Sequence, residues 1–272
     1  MFGQDLSTCF EAHHKIIRLT RADADIVDPA ETCHAICKAQ PDVVIHAAAY
    51  TAVDECESSP QTAFRINSDG TRNVALVCKQ LRIPMVYIST DYVFDGTKAG
   101  AYDESEAPNP INVYGRSKLQ GERHVQELLG TFWIVRVSWL FGPTGKCFVQ
   151  SIMQQALQGK DLRVVDDQFG SPTYTMDAAE TVEQLIDRAP PGIYNVTNQG
   201  HCSWFEFASD ILWKARLENA KLIPISSSEL DRKAKRPMNS RLSNSHLLAQ
   251  GFDPLPDWKE GVAKYIQRAG SK

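Results

Sequence analysis

Between residues 15 and 138, short apolar runs alternate with longer segments of helical periodicity, an order that few folds accept. The runs fall at 15–19, 42–47, 85–89 and 132–138, and the helical segments at 29–40, 61–80 and 113–129. The runs stay apolar along their length instead of alternating with polar residues, the pattern of strands covered on both faces. Strand, helix and strand in repetition therefore predict an α/β protein with a doubly wound parallel sheet. Shorter runs at 162–165, 193–196 and 222–225 are less regular and predict a smaller C-terminal lobe covering the sheet edge.

Local signals agree with this reading. Asp28 precedes Pro29 with Glu31 three positions on, and Ser203 precedes Glu206 by three ahead of an apolar run, so both read as capped helix starts. Residues 95–112 and 226–245 carry the richest loop composition and are expected to wall a site.

Composition narrows what such a sheet could do. With 43% hydrophobic and 23% charged residues in 272, the chain can bury a large core and is not of the disordered type. A net charge of -4 gives no broad basic field for nucleic acid. The apolar run 43–49 is far shorter than the roughly 20 residues of a membrane helix. Met1-Phe2-Gly3-Gln4-Asp5 has no secretory pattern, and 7 scattered Cys suit no disulfide framework. The expected setting is a reducing cytoplasm, without nucleic-acid or membrane partners.

Tyr114 and Lys118 stand four residues apart at the start of a helix, on one face. Chance alone supplies about one such pair in a chain of this composition, and an exposed helix pair is the ordinary reading. Position changes that reading. The helix follows the loop leaving the 85–89 strand, and open α/β sheets bind ligands at the carboxyl ends of their strands. That strand ends Ser89-Thr90-Asp91-Tyr92-Val93-Phe94-Asp95-Gly96, a cluster of hydroxyls and a carboxylate. A phenol with a pKa of about 10 is a slow acid at neutral pH. An ammonium about 4 Å away, at an effective dielectric of about 20, would favour phenolate by about 4 kcal/mol, or roughly three pKa units. Such a pair suits the protonation of an alkoxide as it forms.

At these residues the chain resembles the dTDP-4-dehydrorhamnose reductase family of extended short-chain dehydrogenases/reductases. The family's marks include a strand ending in Ser-Thr-Asp-Tyr-Val-Phe and a later Asn-Val-Tyr-Gly-x-x-Lys, found here at 89–94 and 112–118. Family-like segments also include Ala47 to Asp54, Arg136-Val137-Ser138-Trp139, Asp167 to Thr173 and Arg236-Pro237-Met238-Asn239-Ser240, so the resemblance spans essentially the whole chain. It implies a Rossmann-like domain over 1–143 and a substrate-binding lobe mainly over 144–272, partly interleaved with the first. The implied reaction reduces the C4 ketone of dTDP-4-dehydro-L-rhamnose to dTDP-L-rhamnose by hydride from NADPH, with NADH tolerated. Tyr114, Lys118 and Thr90 are the implied catalytic residues, and Thr90, Asp91, Tyr92 and Trp139 the implied substrate contacts. Thr90 as a turn cap and Trp139 as core are the ordinary alternatives.

On the cofactor side the resemblance implies Gly3, Arg21, Asp25, Ile26, Ala49, Tyr50 and Thr51 beside Tyr114 and Lys118. Arg21, with no acid at the tip of the 15–19 run, leans toward NADPH. Bacterial relatives can form Mg²⁺-linked homodimers, but no metal ligand is assignable here. Two other functions stay open: reduction of another dTDP-keto sugar, and a non-catalytic role like that of the methionine adenosyltransferase β subunit, which shares many of these motifs.

Relatives begin with an apolar strand leading into Gly-x-x-Gly-x-x-Gly. This chain starts within that motif, with Gly3 as its last glycine, and the natural protein is expected to carry about a dozen further residues upstream. In the order 3-2-1-4-5-6 the first strand is central, so its neighbours would be left with unpaired backbone groups. Three smaller signals point to structure. Cys147 stands where relatives usually carry Asn, Cys33-His34-x-x-Cys37 lacks a second ligand pair, and His46 inside an apolar run reads as a hydrogen-bonded core residue.

Overall fold

Four parallel strands make the sheet, although one of the predicted runs does not join it. In chain order the strands of three or more residues are β1 (Val44–His46), β2 (Met85–Thr90), β3 (Phe132–Val137), β4 (Leu162–Val165), β5 (Gly192–Asn195) and β6 (Leu222–Ile225). The sheet order is β1-β2-β3-β5, with Ile45 opposite Val86, Ile88 opposite Val135 and Val135 opposite Tyr194. The computed structural model describes residues 1–270.

All of β2 is buried because both faces of the sheet are covered. Val86 and Ile88 point to one face, where they meet Phe2, Leu6 and Phe10 of α1 (Phe2–Phe10). Met85 and Tyr87 point to the other, against Ile36 of α2 (Pro29–Ala39), Val74 and Val77 of α3 (Thr71–Leu81) and Val125 of α4 (Val113–Leu128). Each such side chain contributes about 1.5–3 kcal/mol by leaving water, and this places the site on a rigid support. The face carrying α1 is completed by Ala178, Val182 and Leu185 of the helix Thr175–Arg188. A separate apolar core holds Phe141, Ile152, Leu162, Phe207 and Ile211 beside the parallel β4–β6 pair.

Residues 15–19 form no strand, and Ile17 and Leu19 are each 47% exposed. A strand is stable only through the ladder that satisfies its backbone, and among the described residues none lies beside this segment. β1 is accordingly the edge of the sheet. The helix expected at 61–80 is interrupted by a π-helical turn at Arg65–Gly70. Within that turn Asn67 is buried; its amide donates to the Tyr50 carbonyl and to Ser117, and its Oδ1 accepts from the Tyr50 N–H. Such turns often accompany functional sites.

Both predicted caps form. Asp28 accepts from the backbone N–H groups of Ala30 and Glu31, and Ser203 with Glu206 makes a reciprocal capping box. Among the described residues no helix is long and apolar enough to cross a membrane.

Candidate active site

β2 delivers Thr90 to the carboxyl edge of the sheet, where the chain turns sharply through Asp91–Val93. Thr90 caps that turn by accepting from the Tyr92 N–H, so its ordinary structural role is real. Its hydroxyl also donates to Asp91 Oδ1 at 2.9 Å. α4 approaches from the side, started by Asn112, whose Oδ1 accepts from the Gly115 N–H at 2.8 Å. A Cβ on Gly115 would lie 2.0 Å from the Tyr92 carbonyl oxygen, so only glycine lets α4 come this close. The approach brings the Tyr114 phenol near enough to Thr90 for the hydroxyl to act on it, with the Tyr92 ring edge-on at 5.9 Å.

The phenol of Tyr114 is pushed above its usual range by burial, with the Thr90 hydroxyl pulling it back. The lowering expected from Lys118 is absent. The Lys118 ammonium is 2% exposed, donates to the Ile88 carbonyl at 2.6 Å and lies 4.0 Å from the centre of the Tyr87 ring. Helical spacing put Tyr114 and Lys118 on one face, but the four-carbon stem of Lys118 lets its tip turn toward the strand. Burial brings Lys118 down to about 7, opposed by the negative charge of Glu122 one turn further along. Glu122 in turn forms a two-pronged buried ion pair with Arg136 of β3 and accepts from Ser89.

Asp91 is 3% exposed, and burial raises it to about 6 against the hydrogen bonds of Ser240, Ser138 and Thr90. Tyr92 turns its phenol toward Arg236 and lines a cavity of about 400 Å³ together with Asp54, Trp204, Arg163 and Arg232. Arg236 grips Asp54 with both guanidinium arms, at 2.5 and 2.6 Å, which holds that carboxyl down at about 2. Arg163 pairs with Glu229, while Arg232 has no ion pair among the described residues. Three guanidiniums against two carboxylates leave this wall receptive to an anion with several negative oxygens.

Trp139 closes the same region. It adopts φ 44, rare for a bulky residue, and stacks on Trp204 with ring centres 3.6 Å apart. Gly170 makes room for it, since a Cβ there would lie 2.2 Å from the indole.

Of the residues expected at the cofactor, Gly3 opens α1, where a Cβ would sit 3.3 Å from the Ala47 side chain and the Met1 cap makes no side-chain hydrogen bond. Ala49, Tyr50 and Thr51 follow the end of β1. Arg21 pairs with Asp25 at 3.3 Å on the surface, and Ile26 packs against Gly70. His46 is a core residue bonded to Thr71 and held down at about 3.

Arg163, Arg232 and Asp54 escaped sequence reasoning as site residues. Arg232 and Arg236 lie in the 226–245 loop expected to wall the site, and Asp54 ends the Ala47 segment, but nothing in a single sequence places them opposite one another. The 95–112 loop is bound to that wall through Asn239, which donates to the carbonyls of Lys98 and Gly100.

The chain matches the RmlD substrate binding domain over residues 1–271. It belongs to that family. It is 38% identical to the spore coat polysaccharide biosynthesis protein SpsK of Bacillus subtilis, over 96% of this chain and 91% of that one. It is 36% identical to a dTDP-4-dehydrorhamnose reductase of Streptomyces griseus, over 97% and 89%. Among solved structures, the dTDP-4-dehydrorhamnose reductase of Bacillus anthracis in complex with NADP superposes with a TM-score of 0.94 at 37% identity, over 98% and 95% of the two chains. The family's extended-reductase fold reaches further, to the UDP-glucose 4-epimerase of Thermus thermophilus at 19% identity and a TM-score of 0.82, a likeness of fold alone.

Proposed function

We propose that this protein reduces the C4 ketone of dTDP-4-dehydro-L-rhamnose to dTDP-L-rhamnose with NADPH. The observation that carries the reading is the meeting of Thr90 and Tyr114 beside an arginine-lined cavity. Tyr114 gives its proton to the alkoxide oxygen as it forms, and Thr90 tunes that transfer through its hydroxyl beside the phenol. Arg232 and Arg236 hold the diphosphate, and Trp139 with Trp204 offers an aromatic wall to the nucleoside or sugar. Asp91 and Tyr92 complete the substrate side.

NADPH, when bound, supplies the hydride. The residues present fit it: the free N–H groups opening α1 at Gly3 suit a pyrophosphate, and Ala49, Tyr50 and Thr51 pass beside them from β1. Arg21, Asp25 and Ile26 would meet the adenosine, and Lys118 the ribose. Among the described residues no group of three or more His, Cys, Asp or Glu side chains converges, so no ligand set for Mg²⁺ is assigned. All seven cysteines are free thiols, which suits a cytoplasmic reductase.

A 32% identical relative of Streptomyces niveus bears the name dTDP-4-keto-6-deoxy-D-glucose reductase, which favours a second reading with that sugar. Purified protein given NADPH and each keto sugar should oxidise the cofactor with at least one of them. Tyr114→Phe should lower kcat by about 10²–10⁴-fold while NADPH still binds. No turnover of any dTDP-keto sugar, or full activity in Tyr114→Phe, would refute the reading. Binding to a methionine adenosyltransferase without turnover would move the protein to a regulatory role.

A further inference from the structure

The helix Phe148–Leu157 lines the arginine-rich cavity with Phe148, Ser151, Ile152 and Gln155, positions whose spacing makes one helical face. From Phe148 to Gln155 that face runs about 10 Å, at roughly 1.5 Å per residue. A second wall is β4, whose Leu162 and Val164 also belong to the apolar core, and Leu230 of the 226–245 loop adds to it. The uncharged polar groups on the helical face are Ser151 and Gln155.

Their hydrogen bonds have one sense. Gln155 Nε2 donates to Ser151 Oγ at 2.9 Å and to the Ser151 carbonyl at 3.3 Å. A carbonyl oxygen only accepts, so the NH₂ side of the amide must face Ser151, and turning the amide over would lose that bond. Gln155 Oε1 accepts no hydrogen bond among the described residues, and the Ser151 hydroxyl, already an acceptor, keeps its own proton to give. The face thus offers the cavity an acceptor and a donor side by side.

We propose that Gln155, held by Ser151, reads the imide edge of a pyrimidine base: its Oε1 accepts from the ring N3–H while the Ser151 hydroxyl donates to the adjoining ring carbonyl. The flat ring lies along Phe148 and Ile152, and Arg232 and Arg236 hold the diphosphate of the same ligand. Thymine and uracil carry that N3–H. Cytosine has a lone pair there, which would face the lone pairs of Oε1, and the tether at the diphosphate keeps its amino group from sliding into place. The choice of ligand rests on the dTDP-sugar reading, whereas the sense of the Gln155–Ser151 bonds does not.

Isothermal titration of the full chain with dTDP and with dCDP measures the preference without any turnover. dTDP should bind about 10- to 100-fold tighter, the usual effect of leaving a site's polar group without its partner. Gln155 is half-buried and Leu is a good helix former, so Gln155→Leu should fold and should weaken dTDP until the ratio falls to within about threefold. Ser151→Ala frees the amide to turn over, so the ratio should shrink while dCDP binds at least as well as before. Inorganic pyrophosphate should compete with dTDP equally in all three proteins, because the arginines are untouched. A purely structural role for Gln155 would weaken both nucleotides together and leave the ratio intact, and that result overturns the proposal. So does a wild-type protein that binds both nucleotides equally, or neither. A preference for dTDP that depends on Gln155, with no keto sugar reduced, would sink the reductase reading alone. Reduction of a dTDP-keto sugar without any base preference would sink only the base reading.

Discussion

Replacing Arg136 with Met should destabilise the protein far more than replacing Arg136 and Glu122 together. Arg136 donates Nε to Glu122 Oε1 at 3.0 Å and Nη2 to Oε2 at 2.7 Å, and the two side chains are 2% and 0% exposed. Without the guanidinium, Glu122 keeps only the Ser89 hydroxyl as a side-chain donor, at 2.5 Å, and an under-compensated buried carboxylate costs about 3–5 kcal/mol. That is a large share of a stability of about 5–15 kcal/mol. The pair itself is imperfect, because Arg136 Nη1 is buried with no partner. Arg136→Met with Glu122→Leu removes both charges and that orphan donor, leaving Ser89 without its acceptor, and should fall within about 2 kcal/mol of the parent. Urea unfolding followed by tryptophan fluorescence measures both. With an m-value of about 3 kcal/mol/M, the single variant's midpoint should drop by about 1–1.7 M. A single variant losing less than about 1 kcal/mol, or a double variant losing as much as the single, would refute the buried-charge reasoning. The stakes reach the site, since this pair ties β3 to the helix that carries Tyr114 and Lys118.

Two further outcomes follow from the same geometry. Glu122→Gln removes the charge that supports the Lys118 ammonium, so Lys118 should titrate below its present value of about 7, and the high-pH loss of kcat should begin at lower pH; an unmoved limb would count against it. Gly170→Ala drives a methyl into the Trp139 ring, 2.2 Å away, and must part the Trp139–Trp204 stack, so KM for the dTDP-sugar should rise by about tenfold as the near-ultraviolet circular dichroism of the stack fades. Wild-type KM with an unchanged spectrum would show that the stack does not shape the site.

Some of this protein was legible in one dimension because the physics is local. Apolar runs covered on both faces marked β2 and β3, cap residues marked the starts at Asp28 and Ser203, and the Thr90, Tyr114 and Lys118 positions stood out by their place after a strand. The 15–19 run shows the limit of that logic: its composition suits a strand, but a strand exists only through a neighbour's ladder, and the run alone does not hold one.

What only the tertiary structure decided concerns groups whose behaviour depends on distant neighbours. Asp54 and Arg236 are 182 positions apart and become a bidentate pair at the cavity wall, and Ser138 comes back across 47 positions to bond Asp91. Helical spacing placed Lys118 beside Tyr114, yet packing turned its ammonium to the Ile88 carbonyl and left burial to set the phenol. The sequence by itself determined which residue types stand at the carboxyl edge of the sheet, because strand ends and helix starts are written in short segments. Which of them share a proton, and how strongly each holds it, was decided by desolvation and long-range contact, terms that come into being only when the chain closes on itself.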